Sequence, residues 1–99
     1  MTDPNVVVIC CDDLGYGDLE CYGSPYNTTP ELNRLASEGI RFTSFHSSGP
    51  NCTPSRAAMM TGRYATRYGL GDAVVFPGFD HRGHESGLPP EEQTVASVL

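Results

Sequence analysis

Apolar residues follow two different patterns along the chain, and the first is a continuous run. After Asn5, Val6-Val-Val-Ile-Cys-Cys11 contains no polar interruption. A short β-branched run of this kind predicts a strand buried on both faces, as in a parallel sheet. It stops at Asp12-Asp-Leu-Gly-Tyr-Gly-Asp18, whose glycines and carboxylates predict a loop at the strand's C-terminal end. Beyond the turn-rich segment Gly23 to Asn27 the spacing becomes helical. Leu32, Leu35 and Ala36 share one face of a helix over residues 28–39. Thr28 or Thr29 can cap its amides, Pro30 fits the first turn, Glu31 suits the positive end and Gly39 suits the exit. Ile40 to Phe45 predicts a second short strand. Strand, helix and strand together predict a right-handed crossover, the unit of a parallel α/β sheet.

Ser47 to Asn51 reads as a loop. Thr53 to Gly62 reads as a second helix, again opened by Thr-Pro and closed by Gly. From Tyr64 to Pro90 little periodicity survives, which predicts a long surface excursion. Glu91 to Leu99 reads as the start of a further helix. Two strands and two helices do not close a doubly covered sheet, so the sequence is expected to be a truncated piece of a larger α/β domain. No internal repeat is present.

Composition narrows the function classes. The chain has 99 residues, with six Lys+Arg against twelve Asp+Glu and a formal charge of −6, which disfavours a duplex-binding protein. The longest apolar run is far too short to span a membrane, and no signal-peptide pattern is visible, so the chain as it stands reads as cytoplasmic. Four cysteines stand at 10, 11, 21 and 52, without the paired spacing of a zinc site or a disulfide framework. Cys10 and Cys11 are expected to be small buried apolar side chains, and Met59 and Met60 core filler. His46, His81 and His84 complete no ligand pattern and are assigned no role.

Two clusters can carry chemistry. Asp12 and Asp13 lie at the expected C-terminal end of a buried strand, where open α/β sheets form their ligand crevice. Adjacent carboxylates repel unless a cation sits between them, and hard oxygen donors favour Ca²⁺ or Mg²⁺ over zinc. Taken alone, the same residues also suit a solvated acidic turn. Asp18 is expected to brace this loop rather than bind metal. The second cluster is Cys52-Thr-Pro-Ser-Arg56, followed by Thr61-Gly62-Arg63. Cys52 precedes a helix N-terminus, where free amides and the helix dipole favour an anion. Arg56, in the first turn, can fold back to the same spot. A tyrosine-phosphatase loop is excluded, because its arginine would stand at Ala58.

These motifs resemble those of a known family. Cys52-Thr-Pro-Ser-Arg56 with Thr61-Gly62-Arg63 resembles the signature of the type I sulfatases, of the alkaline-phosphatase-like superfamily. Asp12-Asp-Leu-Gly-Tyr-Gly-Asp18 resembles that family's metal loop, and Thr29 to Phe42 looks like the stretch between them. The resemblance implies an alkaline-phosphatase-like parallel-sheet sandwich, of which residues 1–99 are an incomplete N-terminal portion of the catalytic domain. It implies that Cys52 is oxidised to formylglycine by a formylglycine-generating enzyme reading Cys52, Pro54 and Arg56. It implies metal ligation by Asp12, Asp13 and the residue derived from Cys52, with Ca²⁺ as the cation and Mg²⁺ as the alternative. Arg56 joins Cys52 in the catalytic set, and Arg63 is expected to support the site structurally.

In such an enzyme the aldehyde binds water to give a geminal diol. One hydroxyl attacks the sulfur of a sulfate ester and the alcohol leaves. The second hydroxyl then loses its proton, sulfate departs and the aldehyde returns. A serine or a thiolate at position 52 would lack that release step. Charge decides the rest, because a sulfate ester repels an anionic nucleophile until it is neutralised. A charge contact at about 4 Å is worth about 4 kcal/mol at an effective dielectric of about 20, against about 0.3–1 kcal/mol for a helix terminus. Metal and Arg56 should therefore dominate, with the helix end orienting the anion.

The family's remaining metal ligands, a Lys and a His match no residue here, and the chain contains no Lys at all. Activity from residues 1–99 alone is therefore not expected. Two other readings stay open. One is a phosphonate or phosphodiester hydrolase on the same scaffold, and the other is a non-catalytic remnant that binds a metal or a partner.

Overall fold

The computed structural model describes residues 4–72, 74–76, 79–80 and 87–99. The chain divides into two units, Met1–Ser44 and Phe45–Leu99.

The first unit is built around one helix, α1 (Pro30–Glu38), which starts and stops where the sequence signals lie. Thr29 occupies the N-cap, Pro30 begins the helix where an amide has no intrahelical partner, and Glu31 sits in the first turn. Arg34 bridges Glu31 at 3.1 Å and Glu38 at 3.2 Å along the exposed face. The Gly39 amide closes the helix on the Leu35 carbonyl at 3.0 Å. Its φ of −117° lies outside the left-handed region, so this exit does not require glycine for φ. Two short 3₁₀ turns, Tyr16–Asp18 and Glu20–Tyr22, precede α1, and Gly23 leaves the second at φ 98°, a left-handed value that favours glycine. Leu32, Leu35 and Ala36 share a shallow groove with Leu19, Tyr22 and Ile40, as the helical spacing predicts.

The second unit is organised by α2 (Cys52–Thr61). Pro54 falls in its first turn, where a missing N–H costs nothing. Gly62 ends it in the left-handed region at φ 68°, and its amide bonds the Ala58 carbonyl at 2.8 Å. The loop before the helix crosses close over Pro54. A Cβ on Gly49 would meet Pro54 Cγ at 2.8 Å, so this approach needs glycine. A 3₁₀ turn, Ala65–Tyr68, folds back on α2 and buries Ala65 and Leu70 against Ala57, with Tyr68 packed on the cluster. A strand pair follows, β1 (Val74–Phe76) antiparallel to β2 (Phe79–Asp80), with Val74 opposite Asp80. The last element is α3 (Val95–Val98), capped reciprocally by Thr94 and Ser97.

Several expectations are corrected. The runs 5–11 and 40–45 are not strands, and the β1–β2 pair is the sheet formed among the described residues. A parallel strand needs a hydrogen-bonded neighbour on its edge, and no described segment supplies one. Val7 and Ile9 are accordingly 82% and 84% exposed, and Cys10 and Cys11 are exposed rather than buried. Met59, expected in the core, is 47% exposed, because the face of α2 that packs carries Pro54, Ala57 and Ala58. The excursion from Tyr64 to Pro90 is not confined to the surface: its described residues include a 3₁₀ turn and contribute Ala65 and Leu70 to the core. His81 and His84 lie outside the described residues.

Candidate active site

The acidic loop belongs to the first unit. Asp12 and Asp13 are both exposed, and Asp13 adopts φ 52°. Aspartate is one of the few non-glycine residues that visits this region, because its short polar side chain can hydrogen-bond locally. Two residues on, the loop closes on itself. The Gly15 amide donates to Asp18 Oδ2 at 2.7 Å, and the Asp18 amide donates back to the Gly15 carbonyl at 3.1 Å. Asp18 thus braces the loop, as the sequence predicts. Asn27 Nδ2 holds the Asp18 carbonyl at 2.8 Å.

Glu20 then ties this region to α1. Its amide donates to Thr29 Oγ1 at 3.1 Å, and its Oε2 accepts from the Thr29 amide at 3.1 Å and from Asn33 Nδ2 at 2.6 Å. The Glu20 carboxylate therefore caps the helix start from a different segment, while the Thr29 hydroxyl makes no cap within α1. The Tyr22 ring lies 4.7 Å from Tyr16, its hydroxyl donates to the Phe42 carbonyl at 2.9 Å, and the Arg41 guanidinium sits 5.7 Å over its face. Arg41 Nη1 also donates to the Cys21 carbonyl. Hydrogen bonds and ring contacts, rather than burial, shape this half.

Among the described residues no three His, Cys, Asp or Glu side chains gather closely enough to hold a metal ion. Asp12 and Asp13 fit a hard dication by donor chemistry, as part of a larger oxygen set.

The second cluster sits on α2. Cys52 is the first residue of the helix, a free and exposed thiol at the end where backbone amides lack intrahelical partners. Arg56 stands four positions later, which puts the two side chains on one helical face. Between them Pro54 is buried and fixes how the helix start seats on the second unit. Ser55 Oγ donates to the Gly49 carbonyl at 2.9 Å, pinning the loop that leads into Cys52.

The other end of α2 is clamped too. Thr61 Oγ1 donates to the Ala57 carbonyl at 2.9 Å and lies 3.1 Å from the Tyr68 hydroxyl. Arg63 Nη1 donates to both carboxylate oxygens of Glu92, at 2.6 Å to Oε1, while its guanidinium lies 5.7 Å over the Tyr68 ring. The Glu92 side chain is only 9% exposed. Arg63 thus ties the segment that follows α2 to Glu92 and Tyr68. Glu20 and Glu92, the two carboxylates that anchor the two clusters, were not singled out from sequence. Their partners, Thr29, Asn33 and Arg63, are distant along the chain, and no local pattern marks them.

Comparison with known proteins agrees with the motifs. A model of the family described as Sulfatase matches residues 4–99. The chain is 55% identical over 96 residues to arylsulfatase A of Homo sapiens, covering 97% of this chain and 18% of that protein. It is 46% identical over 96 residues to steryl-sulfatase of Rattus norvegicus, covering 97% of this chain and 17% of that protein. A crystal structure described as that of Ps i-CgsB superposes with a TM-score of 0.73 at 36% identity, over 86% of this chain and 18% of that one. The chain therefore spans less than a fifth of the length of the proteins it matches.

Proposed function

Because the chain belongs to the sulfatase family, we propose that the full-length protein hydrolyses sulfate esters, with residues 1–99 as the N-terminal portion of an alkaline-phosphatase-like catalytic domain. The observation that carries this reading is the first turn of α2. An exposed Cys52 heads the helix, a buried Pro54 seats it, and Arg56 follows one turn later on the same face.

Each residue has a distinct task in this proposal. Cys52, with Pro54 and Arg56, forms the pattern that a formylglycine-generating enzyme reads. The formylglycine made from Cys52 supplies a nucleophile that is regenerated when sulfate leaves. Asp12 and Asp13, with residue 52 as a further donor, would hold Ca²⁺, or Mg²⁺ in its place, and the cation supplies charge neutralisation for the sulfate group. Arg56 adds a fixed positive charge to the same anion. The amides of Cys52 and Thr53, at the start of α2 where intrahelical partners are lacking, would help to orient its oxygens. The Ser55 amide is committed to the Asn51 carbonyl at 3.3 Å, and Pro54 has no N–H, so few backbone donors remain and the side chains must carry most of the attraction.

The test uses full-length protein from a host that carries the modifying enzyme. A mass spectrum of the peptide containing Cys52 is expected to show the aldehyde, and the same preparation is expected to turn over an aryl sulfate. An unmodified thiol with no turnover would support the non-catalytic reading. Faster steady-state cleavage of a phosphate diester than of the sulfate would move the assignment to a phosphodiester or phosphonate hydrolase.

A further inference from the structure

Cys52 lies at the middle of a closed ring of backbone. Gly49 stands three residues before it and Ser55 three after, and the Ser55 hydroxyl donates to the Gly49 carbonyl at 2.9 Å. The Ser47 hydroxyl donates to the same carbonyl at 2.9 Å. Within the ring the Ser55 amide donates to the Asn51 carbonyl at 3.3 Å. The two sides of the ring also touch. A Cβ on Gly49 would lie 2.8 Å from Pro54 Cγ, 2.9 Å from Pro54 Cβ and 3.3 Å from the Ser55 amide nitrogen, so a side chain at position 49 would push the loop off the helix start. Pro54 is buried, which seats one side of the ring on the second unit. The common way to fasten a helix start is not used here: Asn51 holds the N-cap, but its side chain makes no cap bond.

We propose that Ser55 and Gly49 are positioning residues for residue 52, a clasp that fixes where its side chain projects relative to Arg56. This rests on the reading of residue 52 as the nucleophile given above. Ser55 and Arg56 are neighbours in α2, so the bond from Ser55 to the incoming loop holds everything between positions 49 and 55 against the helix that carries Arg56. Without that bond residue 52 is simply the first residue of a helix, and helix ends fray. An attacking oxygen reacts only within a narrow range of distance and angle, so its displacement lowers rate more than binding. The clasp joins a hydroxyl to a carbonyl. It therefore fixes the turn without taking a backbone donor that an anion at the helix start would use.

The experiment uses full-length protein from a host that carries the modifying enzyme. Aldehyde at position 52 is measured by mass spectrometry and the folded fraction by thermal unfolding. Steady-state rates on an aryl sulfate are expressed per folded, aldehyde-bearing molecule. Ser55→Ala is expected to keep the aldehyde and to lower kcat about tenfold, the scale of one hydrogen bond, with KM within about twofold of wild type. Ser55→Thr, which keeps a hydroxyl, is expected to recover most of the loss. Gly49→Ala, which keeps every hydrogen-bonding group but displaces the loop from Pro54, is expected to lose as much as Ser55→Ala. Wild-type kcat in Ser55→Ala, whatever its melting temperature, overturns the clasp while leaving the nucleophile reading intact. Ser55→Thr as slow as Ser55→Ala overturns it too, because the hydroxyl is then not what matters. A raised KM at unchanged kcat would place Ser55 in substrate binding, and loss of the aldehyde in Ser55→Ala would place it in the modification signal; either overturns the clasp. A wild-type protein with no aldehyde and no turnover overturns the nucleophile reading and the clasp with it. Should Gly49→Ala fail to fold, the two Ser55 variants decide.

Discussion

The two units of this chain keep their shape by different means. In Met1–Ser44 every described residue is at least partly exposed, and the order comes from side-chain hydrogen bonds: Asp18 on Gly15, Glu20 on Thr29 and Asn33, Tyr22 on Phe42. In Phe45–Leu99 a small apolar cluster of Ala57, Ala65 and Leu70 holds α2 against its neighbouring turn. Hydrogen bonds are directional and fix angles in the first unit, whereas small buried side chains packed on its flank fix α2 in the second.

This contrast can be pressed from several sides. The largest effect is expected at Cys52, the nucleophile position under the proposed function. In the full-length protein Cys52→Ser should abolish steady-state turnover of an aryl sulfate and leave at most a single turnover, because the serine ester has no release step. Continued turnover in a steady-state assay would remove residue 52 from the chemistry.

Next comes the packing that carries α2. Leu70 is 4% exposed, so Leu70→Ala should destabilise the full-length protein by about 2–5 kcal/mol, read by denaturant unfolding. A loss well under 1 kcal/mol would mean that the small cluster does not support the helix.

The anchor at the far end of α2 should be intermediate. Glu92→Gln leaves Arg63 without its ionic partner at a carboxylate that is 9% exposed, whereas the arginine is 49% exposed. Solvent on the Arg63 side limits the cost to about 1–2 kcal/mol. The same unfolding experiment checks it.

The smallest effect should fall on the exposed face of α1. Arg34 pairs with Glu31 and Glu38, but the three side chains are 60–81% exposed. Arg34→Ala should therefore cost no more than about 0.5 kcal/mol, and raised salt should erase even that. A larger loss would show that ion pairing, and not only the Glu20 hydrogen bonds, holds the first unit together.

Helices α1 and α2 were legible in the sequence because their signals are local, whereas α3 starts at Val95 rather than at Glu91. Thr-Pro at the start, one apolar face and a glycine at the end bracket α1 and α2 within a residue or two. The paired aspartates and the Cys52-x-Pro-x-Arg56 pattern were legible for the same reason, since neighbours along the chain define them. The strands were misjudged because a strand is a property of a pair of segments. The run Val6 to Cys11 has the composition of a buried strand but no described neighbour to bond. The same limit applied to Ala65 and Leu70, whose burial depends on α2 folding back over a stretch with no periodicity of its own.

The sequence by itself determined which residues are candidates for chemistry and where α1 and α2 begin and end, because composition, spacing and caps act over one or two turns. Only the tertiary structure decided what restrains those residues. Glu20 meets Asn33 and Arg63 meets Glu92 across thirteen and twenty-nine positions respectively. Contacts at such separations are fixed by how the chain packs, and packing leaves no mark on the local order of residues.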